Sequence, residues 1–155
     1  MKILSGGQTG VDRAALDTAR EAGIPSGGWC PLGRLAEDGV VPDHYGLQET
    51  PAPAYVQRTE WNVRDAEATL ILIHGTPTGG TAYTIAVAGQ LHKPLLVIDV
   101  HGKKTENAIH RWLTTGHYGV LNIAGPREST SPGIYKKAAE ILKGVFSMLN
   151  QTSCP

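Results

Sequence analysis

Lys2-Ile3-Leu4-Ser5-Gly6-Gly7-Gln8-Thr9-Gly10-Val11-Asp12-Arg13 reads as a short strand, a glycine-rich turn and the start of a helix. Glycine permits positive φ and close approach of another group, while a helix start offers free N–H groups and the positive end of its dipole. The same order recurs where Leu70-Ile71-Leu72-Ile73 leads into Gly75-Thr76-Pro77-Thr78-Gly79-Gly80-Thr81. Two such turns on one edge of a parallel sheet would face a common crevice. The expected site is Gly6, Gly7, Gln8, Thr9 and Gly10 around one anionic group, with Thr76, Thr78, Gly79, Gly80 and Thr81 around a second.

Outward from these turns, apolar spacing predicts a helix over residues 11–22, closed by Gly23. A brief second strand falls within 24–30, weakened by Pro25, Gly27 and Gly28. Residues 31–55 are irregular and exceed an ordinary connection, which marks a functional or disordered loop. Then follow a helix over 56–67, a strand over 68–73, and a helix from Gly80 or Thr81 through Leu91. The clearest continuous apolar run is the strand at 94–99. A helix over 105–115, a fifth strand at 120–124 and a long amphipathic helix over 131–149 complete the chain. Strands alternating with helices predict a three-layer α/β/α sandwich on a mostly parallel five-stranded sheet, with order 2-1-3-4-5 as the simplest. Residues 1–150 form one domain and 151–155 a tail.

Fourteen basic and fourteen acidic residues leave no basic stripe for a nucleic-acid tract. No apolar run approaches 18 residues and no leader pattern opens the chain, so a cytoplasmic protein without a membrane anchor is expected. Cys30 and Cys154 are the only cysteines and do not make a disulfide framework.

The first turn lacks the Lys-Ser/Thr pair of a P-loop and is not a GxGxxG fingerprint. Asp12 either complements the dipole of the first helix or contacts a ligand hydroxyl, and Arg13 offers a planar fork to a phosphate. Arg34 and Glu37, in the long loop on the same edge, either contact a ring or are solvated surface charges. Asn122, Arg127 and Glu128 stand at the fifth strand's end, where they would form the rim. Cys30 as a nucleophile would need a base nearby, and His74 has no acid or cysteine at metal-ligand spacing. Neither a metal site nor a catalytic residue is assigned.

The opening motif, continued through Ala14-Ala15-Leu16-Asp17, joins Gly28-Trp29-Cys30-Pro31, Ala36-Glu37-Asp38-Gly39, Thr59-Glu60-Trp61-Asn62-Val63-Arg64-Asp65 and Gly79-Gly80-Thr81. Together they resemble the molybdenum cofactor carrier family, within the SLOG group of Rossmann-like nucleotide binders. The resemblance covers nearly the whole chain. It implies a Rossmann-like fold and a phosphorylated small-molecule ligand, either molybdenum cofactor (a molybdopterin) or a nucleotide. A carrier is the leading expectation; a nucleotide N-glycoside hydrolase and a ligand-sensing domain are the alternatives, and related folds suggest a homo-oligomer, dimer or tetramer. Phosphoribohydrolases of the same group carry PGGxGTxxE, and here Thr84 stands where their glutamate would be. Asp12, Glu37 or Glu60 would have to replace that acid.

Overall fold

The computed structural model describes residues 1–153; Cys154 lies outside the described residues. Five strands form the main sheet: β1 (Lys2–Leu4), β2 (Ser26–Gly27), β3 (Ala68–Ile73), β4 (Leu95–Asp99) and β5 (Val120–Ala124). Five α-helices cover it: α1 (Val11–Glu21), α2 (Tyr55–Asp65), α3 (Gly79–Gln90), α4 (Thr105–Gly116) and α5 (Ile134–Thr152). Every strand pair in the sheet is parallel. The α/β sandwich is therefore as the sequence implies, with α5 running past the expected helix end at residue 149 into the stretch assigned to the tail.

The strand order is not as expected. It is β2-β1-β5-β3-β4, with β5 inserted between β1 and β3 rather than at the edge. Ile3 pairs with Leu121, and Leu70 with Ile123. The reason is burial. Leu121, Asn122 and Ile123 are covered on both faces, whereas β4, the most apolar run in the sequence, lies at the edge and leaves Val97 37% exposed. A strand in the middle of a parallel sheet must be apolar on both faces, but an apolar run need not be central. Counting the strands from β5 through β1 to β4 turns the order into 3-2-1-4-5, the arrangement of the Rossmann sheet. The chain is thus a circular permutation of that fold, and the strand order reverses between β5 and β3.

Helices α1, α4 and α5 pack together on one face. There Val11, Ala15, Ile109, Leu113, Ile141, Leu142 and Phe146 close over Ile3, Leu70, Leu121 and Ile123. Each fully buried aliphatic or aromatic side chain of this kind stabilises the fold by roughly 1.5–3 kcal/mol. Helices α2 and α3 cover the other face around Val63, Val87 and Ala88.

The long segment after β2 is ordered. Trp29–Cys30 pairs in parallel with Gln48–Glu49, and Leu35–Ala36 forms a hairpin with Gly39–Val40. Cys30, Ala36, Val41 and Leu47 make a small apolar core against Leu16 of α1. Its turns and glycines hid this structure, since two-residue strands carry no readable periodicity.

Candidate ligand-binding site

An open cavity of about 540 Å³ lies at the C-terminal edge of the sheet on the α2–α3 side. Its position follows from the permutation, because the crevice of an open α/β sheet forms where the strand order reverses, here between β5 and β3. The turn from β1 supplies Gly6, Gln8 and Asp12; α2 supplies Tyr55, Arg58 and Asn62; the start of α3 supplies Thr78, Gly79, Gly80 and Thr81; and the segment after β5 supplies Gly125, Arg127, Ser129 and Thr130.

The α3 end is built from donors. Thr78 at the N-cap makes no side-chain cap, and the N–H groups of Thr81 and Ala82 turn back to the Thr78 carbonyl. Those of Gly79 and Gly80 have no partner among the described residues, as the first N–H groups of an uncapped helix do not. A Cβ added at Gly79 or Gly80 would meet nothing within 4 Å. Gly80 has an ordinary φ, so neither packing nor backbone strain requires glycine there. Arg127 reaches the cavity from the other side, 5.8 Å from the centroid of the Tyr55 ring, and forms no ion pair among the described residues.

The β1 turn is different. Four of its donors are engaged: Gln8 N–H to Asp12 at 3.2 Å, Thr9 N–H to Gln8 Oε1 at 3.0 Å, Val11 N–H to the Pro126 carbonyl at 3.3 Å, and Arg13 N–H to the Gln8 carbonyl at 3.1 Å; the N–H groups of Gly6, Gly7, Gly10 and Asp12 have no partner among the described residues. Its glycines serve close packing. A Cβ at Gly10 would lie 2.3 Å from the Pro126 carbonyl oxygen, and one at Gly7 2.6 Å from Leu47, each at positive φ.

Other expected residues are placed as follows. Gly7, Thr9, Gly10, Arg13, Arg34, Glu37 and Thr76 do not line the cavity. Arg13 donates to the Gly7 carbonyl and makes a bidentate pair with Asp38, whose carboxyl it holds below the usual range. Arg34 donates to the carbonyls of Leu47 and Val41, which folds the loop instead of facing a ligand. Glu37 accepts from Thr9 and Ser129, ties three segments together, and is held below the ordinary glutamate range by those bonds. Cys30 is fully buried, and burial pushes its thiol pKa up, which opposes nucleophilic use. Glu60 accepts from the Tyr83 hydroxyl on α3. His74 sits beside His101 and 3.7 Å from Asp99, in a separate hollow with Lys136, Lys137 and Glu140. Among the described residues no group of three or more His, Cys, Asp or Glu is arranged for a metal ion.

Sequence reasoning missed α2 as a wall. Arg58 donates to the Gly6 carbonyl at 2.7 Å, with its guanidinium 5.2 Å from the Tyr55 ring, and Asn62 clamps both backbone groups of Trp29. The signal was present, since Arg58 lies one turn before Asn62 on a single helix face. Asp12 is 6% exposed and is the sole acidic side chain lining the cavity among the described residues. Burial raises its pKa, opposed by the nearby Arg58 and by the bond from Gln8 N–H.

Fold and site together define a permuted Rossmann domain with an open cavity at its switch point. Residues 3–146 match the model of the circularly permuted YpsA SLOG family, and the chain belongs to that family. It is also similar to the "Putative molybdenum carrier protein" of Syntrophus aciditrophicus SB, whose crystal structure shares 50% sequence identity, covers 93% of each chain and superposes with a TM-score of 0.89. A comparison with curated proteins found no match. No helix among the described residues is long and apolar enough to cross a membrane.

Proposed function

We propose that this protein binds and carries a phosphorylated small molecule, a nucleotide or molybdenum cofactor, with its phosphate at the α3 end of the cavity. The observation that carries this reading is Gly80, whose glycine answers to no contact or strain within the protein and which opens, with the free N–H of Gly79, onto a donor-rich space facing Arg127. A phosphate oxygen approaching these N–H groups would need the room that a Cβ takes away.

The resident group suggested by the neighbour's name fits on these terms. No cysteine or histidine lines the cavity among the described residues, so it offers no soft ligand to a metal, and a molybdopterin would be held through its phosphate and ring. When bound, such a group would supply its own metal chemistry; the chain's residues hold and orient it.

A hydrolase is the weaker reading. Of the three acids available to replace the missing glutamate, Asp12 alone lines the cavity, and Thr84 donates its hydroxyl to the Gly80 carbonyl. We place the protein in the cytoplasm and read the exposed Leu91 and Val97, near edge strand β4, as a self-association surface.

The test is calorimetry of the full chain with nucleoside monophosphates and ribose 5-phosphate, repeated on Gly80→Val. At least tenfold weaker binding of phosphorylated ligands, with the fold intact, is expected. Equal affinity in the variant would remove the phosphate from the start of α3.

A further inference from the structure

Among the polar side chains that face the cavity, Gln8 keeps a buried donor with nothing to bond. Its Oε1 accepts from Thr9 N–H at 3.0 Å and Glu37 N–H at 2.9 Å, which fixes the oxygen end of the amide. The residue is 5% exposed, and its Nε2 has no partner among the described residues. A buried polar group left unpaired costs about 1–3 kcal/mol, so the site is poised for an acceptor. Next to it stands Asp12, which also lines the cavity and whose Oδ2 accepts from Gln8 N–H at 3.2 Å. Asn122, 2% exposed on β5, borders the same space and makes one long bond from its amide to Thr69, at 3.4 Å. The cavity therefore has a phosphate-like end at α3 and a small buried floor that mixes a donor with an acceptor.

We propose that Gln8 and Asp12 read the edge of a 2-amino-4-oxopyrimidine ring, the edge common to guanine and the pterins. The ring carbonyl accepts from Gln8 Nε2, and the ring N–H and amino group donate to the Asp12 carboxylate. This rests on the phosphate reading above and adds the ring to it. The pairing discriminates because adenine presents a ring-nitrogen lone pair where the carboxylate needs a donor, and a sugar phosphate presents no edge at all. Sites built around such buried partners reject ligands that leave them unpaired far more strongly than apolar pockets reject a changed shape.

The experiment is calorimetry of the full chain with GMP, 6-hydroxymethylpterin phosphate, AMP, xanthosine monophosphate and ribose 5-phosphate, on wild type, Asp12→Asn and Gln8→Glu. Each variant keeps the oxygen that its neighbouring backbone N–H groups use, and thermal melting confirms folding. GMP or the pterin phosphate, whichever source the site takes, is expected to bind at least tenfold more tightly than AMP and ribose 5-phosphate. Both variants should lose at least tenfold on that ligand and keep ribose 5-phosphate within about twofold. Asp12→Asn should also gain on xanthosine monophosphate, in which a carbonyl replaces the amino group. A purely structural role for Asp12 would instead weaken every ligand alike. Uniform weakening, or AMP binding as tightly as GMP and the pterin phosphate, overturns the ring assignment and leaves the phosphate reading in place. Failure of every phosphorylated ligand to bind overturns both.

Discussion

The two glycine turns look alike in sequence and differ in the space around their glycines. In the β1 turn, Gly7 and Gly10 sit at positive φ with protein pressed against the places where side chains would be, and the N–H groups of Gln8, Thr9, Val11 and Arg13 are bonded internally. In the α3 turn, Gly79 and Gly80 face open space, and their N–H groups are free among the described residues. A glycine can be required by packing, by backbone strain or by a ligand, and only the surroundings tell these apart. The glycines at 7 and 10 are required by packing and backbone conformation. The second turn is where an anion has room.

The sharpest way to break this comparison is Gly10→Val. A Cβ would lie 2.3 Å from the Pro126 carbonyl oxygen, in a positive-φ conformation that valine avoids. A loss of about 3 kcal/mol or more in urea denaturation is expected, from overpacking and strain together. A loss below 1 kcal/mol would mean that the first turn is as open as the second. Gly80→Val is the opposite case. Its stability should change by less than about 1 kcal/mol, while the affinity for phosphorylated ligands falls as described.

Asp12→Asn tests the acid that follows the first turn. Because burial raises the Asp12 pKa, the folded state keeps its proton as pH rises past the ordinary aspartate value, and stability is lost through that window. The variant escapes this cost. Its melting temperature should exceed that of wild type at pH 7, and the two should converge below the usual carboxyl range. No difference at pH 7 would show that Asp12 is fully compensated in the free protein.

The smallest effect is expected at Glu37→Gln, which weakens the tie from the loop to Thr9 and Ser129. Here the folded pKa is lowered, so the contribution is present at neutral pH and is lost as pH falls through the lowered value. The site is exposed and screened by solvent, and a change under about 1 kcal/mol should be visible only above acidic pH. An unchanged difference in acid would assign it to packing instead of charge.

Much of this was legible in the residues. Period-3.6 patterns placed α1, α4 and α5 to within a few residues, and the apolar runs placed β3 and β5 at their observed bounds. The order of the strands was not legible, because short right-handed connections are only a tendency, and nothing local in Val120-Leu121-Asn122-Ile123-Ala124 says that it lies beside β1. That one error moved the crevice by a strand. Arg58, which reaches the cavity from α2, went unnoticed, whereas Arg127 was placed on the rim that it occupies. Arg34 and Glu37 were misread for another reason: a charged residue in an irregular stretch gives no sign of whether its partners are carbonyls, hydroxyls or a ligand.

The insertion of β5 between β1 and β3 also has a kinetic consequence. The central strand comes last of the five in the chain, so until it arrives β2-β1 and β3-β4 are two half-sheets, each with an inner edge of unpaired N–H and C=O groups. Pairing Lys2 with Val120 closes a loop of more than a hundred residues, a contact pattern associated with slow folding. During synthesis the nascent chain must carry two sticky margins until its final α/β unit has emerged and seals them.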